Sequence, residues 1–442
     1  MTSSRNSLAF LEGEAVSQQR TRGLQMALGV FGLLLVGATW RLWTPLDDFP
    51  IVPLLSAALR VPHAVGWLNL GLLVASLAAT VWLGATQSGE LPSRWATVNL
   101  LLLAAVLAAM FVGNQHRLQA WAVQFTATAV VLAALPPRRA FALLRWLTVS
   151  VYFWSAVAKL DHTFAHTLGQ QFLDAACGLV GVDATGWSVN TRVGAALAFP
   201  AAELLIALGL SLPLARHTVL RRVALGVAAT MHVLLILVLS PLGLDHQPGV
   251  MLWNGWFLVQ NALLFGFPGR VGDASAQPDL ASAPSTGAMK ELCEVVVEWA
   301  IAVMIFAPAL SLVGRLDHWL AWGLYAPNNS RAQLFLPRDA VAALPPALQH
   351  CCTTAPGEAE WAQVRLEQWS LESLGAPIYP QDRFQLAVAD AILRRFHRKG
   401  EFRIVVESTA DRITGARRRE VIENRRQLLE AQRRFFFNAF AG

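Results

Sequence analysis

The sequence predicts a polytopic α-helical membrane bundle of about nine transmembrane helices with a small C-terminal extramembrane α/β domain. Of its 442 residues, 55% are hydrophobic and only 14% are charged, whereas about 25% of the residues in an average soluble domain are charged. Nine apolar segments lie within the first 313 residues. Most of them approach the roughly 20 residues that a helix needs to cross a bilayer. From about Asp317 the composition turns soluble.

The nine segments are expected to be separate transmembrane helices. Many of the 16 Trp lie near their ends, which is typical of the aromatic belts at the two membrane interfaces. The first segment follows a polar stretch of 23 residues without a small-residue cleavage site, so we expect a retained helix rather than a signal peptide. The segments cover residues 24–40, 67–85, 96–113, 119–135, 140–158, 193–214, 223–243, 250–267 and 295–313.

Three regions follow from this division: an N-terminal cytoplasmic tail (1–23), a transmembrane domain (24–315) and a soluble domain (316–442). Residues 49–58 are apolar but short and contain two prolines, which favours a stretch that lies in the interface or re-enters the membrane. Residues 160–192 form a long connection that mixes aromatic and polar residues. We expect this connection to cap a cavity.

The arginine clusters predict how the chain is oriented, because short loops rich in Lys and Arg usually lie in the cytoplasm. If nine segments cross, the clusters at 20–22, 138–139 and 216–222 fall on one side. This predicts a multi-pass protein of the cell membrane with an extracytoplasmic C-terminal domain. The acidic loop 268–294 argues against that orientation. An error of one in the segment count would move the domain to the cytoplasm.

The C-terminal domain is predicted to combine strands and helices. Runs of β-branched or aromatic residues predict strands at 332–336 and 402–406, and helices are predicted at 363–374, 383–397 and 417–437. The last 52 residues hold 13 Lys or Arg against 6 Asp or Glu. This basic tail is expected either to contact anionic headgroups or an acidic partner, or to form a solvated helix of mixed charge.

Lys159, at the end of the fifth segment, is the first candidate for chemistry. Helical spacing places it on one face with Ser155 and Tyr152, so its ammonium group is expected to lie close to two hydroxyls. An amine in a partly dry site can serve as a base. The alternative is a lysine at a helix end that extends its charge into water, which is common.

Glu203 and His232 lie near the centres of the sixth and seventh segments. At a similar depth on neighbouring antiparallel helices they could share a hydrogen bond, which would offset the cost of burying either one alone. The sequence is compatible with two roles for this pair, structural pairing and proton relay. Glu298, near the start of the ninth segment, is expected at the level of the headgroups.

His116 and Asn254 complete the candidate site. His116 lies at the outer end of the third segment, and Trp253 and Asn254 lie at the outer start of the eighth. With Lys159, these groups are expected to approach the same leaflet and to outline a pocket for a lipid-soluble ligand. His116 as an ordinary interfacial residue is the alternative. The four Cys show no metal-ligand spacing, so no metal site is predicted.

With these residues in view, the chain resembles the vitamin K-dependent γ-glutamyl carboxylase family and its bacterial relatives, the horizontally transferred transmembrane (HTTM) domain proteins. The resemblance covers roughly residues 20–315. The resemblance is looser at residues 49–50 and around His116. The matching stretches are 152–161, 203–205, 221–222 with His232, and 251–253.

The resemblance implies an enzyme that acts on reduced vitamin K or menaquinol. Lys159 would be the base that deprotonates the hydroquinone and starts its oxygenation to the epoxide. His116 would lie near a coupled carboxylation. In our leading hypothesis, Glu203 and His232 support the site together with Tyr152 and Asn254. The chain departs from the family pattern at Ala158, where the family has the first of two lysines, and in its much shorter C-terminal domain.

Two other functions remain open at this stage. One is a non-catalytic bundle that binds a lipid or a partner protein, and the other is a quinol-linked membrane subunit of a separate redox partner. The expected partners are membrane lipids, a lipid-soluble quinone and, under the carboxylase interpretation, a Glu-containing protein substrate. No nucleic-acid partner and no metal cofactor are expected.

Overall fold

In the computed structural model, the chain forms a helical bundle to which a small sheet domain is attached. The structure describes residues 2–45, 49–86, 94–213, 217–266, 287–355, 357–397 and 400–442. The side chains of residues 2–17 and of Arg60 are not described. Arg216 and most of the acidic loop 268–294, both used above to predict the orientation, lie outside the described residues.

Twelve described helices, α1 to α12, build the bundle and its short connections. Pro137 and Pro248 open α6 and α11, where the fixed backbone angle of proline suits the first turn and its missing N–H costs nothing. The helices are α1 Thr2–Ala38, α2 Trp40–Trp43, α3 His63–Thr86, α4 Arg94–Gly113, α5 Ala120–Ala134, α6 Pro137–Lys159, α7 His162–His166, α8 Leu168–Leu179, α9 Val189–Ser211, α10 Thr218–Leu239, α11 Pro248–Phe265 and α12 Ala288–Phe306.

Seven helices in the described part of the chain are long and apolar enough to cross a membrane. They are α3, α4, α6, α9 and α10, the Gln18–Ala38 part of α1, and α12 with its continuation to Val313. The two other predicted segments are also helical, but α5 has only 15 residues and α11 contains three amide side chains, Asn254, Gln260 and Asn261. The prediction of a multi-pass helical bundle is confirmed, and the count of nine crossings is not.

The residues 49–58 do not form a spanning segment. They lead into a short 3₁₀ turn, Ser56–Arg60, and the backbone N–H of Leu54 donates to the carbonyl of Val112 at the end of α4. The connection 160–192 folds into α7 and α8, and Phe172 of α8 is buried with Val238 and Leu239 of α10. Both stretches therefore pack against helix ends.

The C-terminal domain is one antiparallel sheet in the order β2-β3-β1-β4-β5 with helices packed against it. The strands are β1 Arg331–Pro337, β2 Cys352–Ala355, β3 Glu358–Val364, β4 Arg403–Glu407 and β5 Arg419–Ile422. Its helices are α13 Pro346–His350, α14 Leu366–Leu374, α15 Asp382–Phe396 and α16 Arg425–Arg433. Alternate residues of β1 are buried, as expected for a strand covered on one face.

The predicted strands at 332–336 and 402–406 and the predicted helix at 383–397 are confirmed with small changes in their bounds. The predicted helix at 417–437 is wrong in its first part, because Arg419–Ile422 is a strand that pairs with β4. Ile422 lies opposite Ile404, and both are fully buried. Only α16 remains of that predicted helix.

The sheet domain lies on one end of the bundle, which we call the domain face. This face includes the ends of α4 and α6: His116, just after α4, contacts Pro377, and Arg412 of the domain donates to the carbonyl of Leu160. The opposite end carries arginines that hold helix ends together. There Arg20 donates to the carbonyl of Leu263, and Arg139 forms ion pairs with Glu298 and Glu294.

A buried cluster centred on Arg383 joins the domain to the bundle. Arg383 pairs with Asp317 at 2.6 Å and donates from Nε to the Gln115 side chain at 2.8 Å. Tyr379 donates its hydroxyl to the same carboxylate at 2.7 Å. Burial alone would lower the pKa of Arg383, but the Asp317 carboxylate holds it above its usual value. The positive charge of Arg383 is thus kept at any physiological pH.

Candidate functional site

Lys159 and Glu203 form a buried ion pair at the domain end of α6. The Lys159 ammonium lies 2.7 Å from Glu203 Oε1 and 2.7 Å from Ser155 Oγ. Lys159 is 5% exposed and Glu203 is 8% exposed. Two charges at membrane depth are stable only when they are paired. Of the two hydroxyls predicted to lie close to Lys159, that of Ser155 contacts it, whereas that of Tyr152 contacts His232 and Asn261. The main partner of Lys159 is the carboxylate.

The second oxygen of this carboxylate does not take part in the ion pair. Glu203 Oε2 is buried and has no hydrogen-bond partner among the described residues. A buried carboxylate oxygen without a donor is costly, so this atom is a candidate acceptor for a ligand donor. The pair therefore presents one open acceptor inside the bundle.

A second polar cluster is built around Tyr152, which lies about two turns before Lys159 on α6. It links α6 with α10 and α11. The Tyr152 hydroxyl lies 2.5 Å from His232 Nε2, and His232 Nδ1 lies 2.7 Å from Asn254 Oδ1. Asn261 donates to the Tyr152 hydroxyl at 2.6 Å, and Asn254 donates to the carbonyl of Val250. The order of donors and acceptors fits a neutral imidazole that carries its proton on Nδ1.

The predicted pairing of Glu203 with His232 is wrong. In the structure, Glu203 pairs with Lys159, and His232 forms hydrogen bonds with Tyr152 and Asn254. The physical reason is that a carboxylate at membrane depth is stabilised far more by a cation than by a neutral imidazole. Similar depth on neighbouring helices does not fix which side chains face each other.

We expect these partners to appear in double-mutant cycles read by thermal stability in detergent. Tyr152→Phe and His232→Gln should be non-additive by about 0.5–3 kcal/mol, because each loses the same hydrogen bond. Glu203→Gln and His232→Gln should be additive within about 0.5 kcal/mol. A strong coupling between Glu203 and His232 would contradict the contacts described here.

Sequence reasoning missed a chain of amides in the same core. Trp253 donates to Gln124, Gln124 donates to Gln260, and Gln260 donates to the Thr148 hydroxyl at distances of 2.9, 2.9 and 2.6 Å. Asn261 was missed as well. The available signal was the presence of amide side chains within apolar segments, which are costly unless they pair.

His116 lies in a different place, at the contact with the sheet domain. It is fully buried; its Nε2 lies 2.8 Å from the carbonyl of Pro377, and its ring packs against Phe384 and Phe49. No hydrogen bond or ring contact within the described residues joins it to Lys159. The structure therefore does not bring His116 together with Lys159 and Asn254 in one pocket, as was predicted. The contacts of His116 instead hold the sheet domain against the bundle.

The burial of His116 predicts that acid weakens the fold. Burial lowers the pKa of His116 to about 4, against a hydrogen bond to Pro377 that raises it, and the nearby Arg117 lowers it further. Between pH 6.5 and 4 the unfolded chain therefore binds a proton that the folded chain does not, so stability falls as the pH drops through this range. The difference corresponds to roughly 3 kcal/mol at most.

The measurement is the thermal midpoint in detergent between pH 7.5 and 4. The wild type should lose stability on acidification, and His116→Gln should lose less over the same range. An identical pH profile in the variant would show that His116 does not carry this effect.

Two cavities in the described part of the chain lie near these clusters, and neither is lined by Lys159, Glu203 or His116. A groove of about 1300 Å³ lies between the bundle and the sheet domain. A crevice of about 430 Å³ lies between α10 and α11 and is lined by Arg222, Leu258 and Asn261, among others. Asn261 Oδ1 is buried without a hydrogen-bond partner in the described part of the chain. The crevice thus reaches the residue that donates to Tyr152. The connection 160–192, expected to cap a cavity, lines neither of the two.

No group of three His, Cys, Asp or Glu side chains within the described residues is placed to hold a metal ion. Comparison with models of protein families, with curated proteins and with solved structures finds no match to this chain.

Proposed function

We propose that this chain is an integral membrane enzyme that oxidises a lipid-soluble naphthohydroquinone, reduced vitamin K or menaquinol, with O2. In this proposal the Lys159–Glu203 pair accepts the hydroquinone proton, and carboxylation of a glutamate side chain is the coupled step. One observation carries it: a lysine inside an apolar helix bundle is held by a carboxylate whose second oxygen is buried and has no hydrogen-bond partner among the described residues. The sequence resemblance points to the same lysine.

The paired geometry changes how the lysine can act. An ammonium group has no lone pair, so Lys159 cannot take a proton while it is charged. Either Glu203 takes one proton from Lys159 and leaves a free amine, or Glu203 Oε2 accepts the incoming proton directly. In both cases the two residues act as one acceptor, and Ser155 holds the lysine in place through its 2.7 Å contact.

The second cluster is proposed to bind and orient the ligand. The Tyr152 hydroxyl lies within hydrogen-bond distance of His232 Nε2 and receives a hydrogen bond from Asn261, and these contacts fix its orientation. Asn261 lines the crevice, and its Oδ1 has no hydrogen-bond partner in the described part of the chain, which suits a ligand hydroxyl. The other side chains of the crevice are mainly apolar, as expected for a ligand that enters from the lipid.

When bound, the hydroquinone would supply its two hydroxyl protons and the four electrons that reduce O2, two from its conversion to the quinone and two from the ring double bond that becomes the epoxide. One oxygen atom would enter the epoxide and the other would leave as water. The residues described here would exclude water, hold the hydroxyl and accept its proton. No catalytic role is proposed for His116. The Glu-containing protein substrate and the coupled addition of CO2 rest on the resemblance.

The proposal places the sheet domain outside the cytoplasm. Arg20, Arg139, Arg145 and Arg221 all lie at the end of the bundle opposite the domain, and arginines at helix ends favour the cytoplasmic side. A reporter that works only in the cytoplasm, fused after Gly442, should be inactive. Strong reporter activity would place the domain in the cytoplasm.

The function is tested by incubating the purified protein with reduced vitamin K or menaquinol, O2 and bicarbonate and measuring the epoxide. We expect Lys159→Ala to lower the rate by about 10²–10⁴-fold, which is the usual contribution of a positioned base. Lys290→Ala, which changes an exposed lysine, is the matched control and should keep the wild-type rate. If the wild type neither binds nor converts the hydroquinone, the non-catalytic interpretation takes its place.

A further inference from the structure

The groove between the bundle and the sheet domain has one apolar wall and one basic wall. It has a volume of about 1300 Å³. Val61, Val65 and Met110 line it from the start of α3 and the end of α4, and Trp369 and Phe396 line it from the domain. A cavity of this size, at the end of membrane-spanning helices, has room for a large amphiphile.

Four arginines line the groove: Arg41, Arg117, Arg394 and Arg395. Arg117 is buried and donates to the carbonyl of Leu42, and Arg394 pairs with Asp390, so Arg41 and Arg395 form the basic wall. Arg41 and Arg395 are exposed and lie over the rings of Trp40 and Phe396 at 5.5 and 5.4 Å. The acidic side chain among the described lining residues is Glu372. The groove therefore carries a net positive charge and suits an anion.

The apolar wall continues onto the outer surface of α3. Val65 is 38% exposed and Leu68, one helical turn further along, is 61% exposed. These residues belong to a helix that is long and apolar enough to span the membrane. A molecule in the groove could thus place its polar end on the arginines and extend its apolar part along α3 into the lipid.

We propose that this groove binds an anionic phospholipid of the surrounding leaflet, with its phosphate on Arg41 and Arg395 and its acyl chains along Val61 and Val65. Guanidinium groups pair with phosphate oxygens through two parallel hydrogen bonds. An acidic peptide would satisfy the arginines but would leave the apolar wall uncovered. The bound lipid would bridge the bundle and the sheet domain, since each contributes part of the groove.

The experiment is native mass spectrometry of delipidated protein titrated with dioleoylphosphatidylglycerol or dioleoylphosphatidylcholine. The phosphatidylglycerol should bind at least about tenfold more tightly, because each arginine near an anionic surface adds to the attraction. The double variant Arg41→Gln/Arg395→Gln should lose this preference. Arg426→Gln, which removes an arginine exposed on α16, should keep it.

A lipid-free measurement keeps the test independent of folding. Both changed arginines are exposed, so the double variant should retain the wild-type thermal midpoint in lipid-free detergent. Equal binding of the two lipids by the wild type would overturn the proposal, as would undiminished preference in the folded double variant. Displacement of the phospholipid by an equal concentration of inorganic phosphate would also overturn it, because it would show that the acyl chains contribute nothing.

Discussion

Lys159→Met is expected to destabilise the folded protein by about 3–5 kcal/mol. The reason is that Glu203 would remain buried without its cation, and the cost of breaking a buried pair on one side falls in this range. The carboxylate already lacks a partner for one oxygen within the described residues, so the loss of Lys159 would leave it with none of its charged contacts. The measurement is the thermal or denaturant midpoint of the purified variant in detergent.

A second substitution separates this effect from lost packing. Lys159→Met/Glu203→Gln removes both charges and should recover most of the lost stability, since a neutral amide is far cheaper to bury than a carboxylate. Lys290→Met is the matched control and should change little. If the double variant is as unstable as Lys159→Met alone, the ion pair is not the source of the loss. The double variant should remain inactive in the hydroquinone assay.

Arg383→Met is expected to have an effect of similar size, about 3–5 kcal/mol, through a different contact. The substitution would leave the half-buried Asp317 carboxylate without its cation, which is costly. It would also remove the hydrogen bond that Arg383 donates to the Gln115 side chain. Because Arg383 joins the sheet domain to the bundle, we expect the domain to become accessible to protease while the bundle stays folded. Limited proteolysis followed by mass analysis of the fragments measures this.

The control for this prediction is Arg426→Met, since Arg426 is an exposed arginine whose partner Glu430 lies on the same helix. Exposed pairs of this kind contribute little, so the control should resist protease like the wild type. A wild-type cleavage pattern in Arg383→Met would contradict the docking role of the cluster.

The membrane helices could be predicted because their signal is local. Length and apolar composition alone mark a spanning helix, and each of the nine predicted segments is helical. The number that cross could not be fixed this way, because Gln260 and Asn261 reduce the apolar character of α11 while pairing inside the bundle. Whether an amide is paired depends on tertiary contacts.

The candidate site was only partly predictable for the same reason. Ser155 and Lys159 lie four residues apart on one helix, so their contact follows from helical spacing. The contact between Lys159 and Glu203 joins two helices across 44 positions of sequence and depends on how each helix is rotated. In the sheet domain, β5 was hidden because Arg419 and Glu420 look like a solvated helix, and only pairing with β4 makes them a strand.

The central claim is that the Lys159–Glu203 pair accepts the substrate proton. Its most direct test is the rate of epoxide formation by Lys159→Ala in the presence of increasing concentrations of a small primary amine. We predict that the variant alone is inactive, that the rate rises with amine concentration, and that more basic amines restore it better, because proton transfer follows basicity. A variant that turns over at the wild-type rate without amine, or a wild type that forms no epoxide, would contradict the claim.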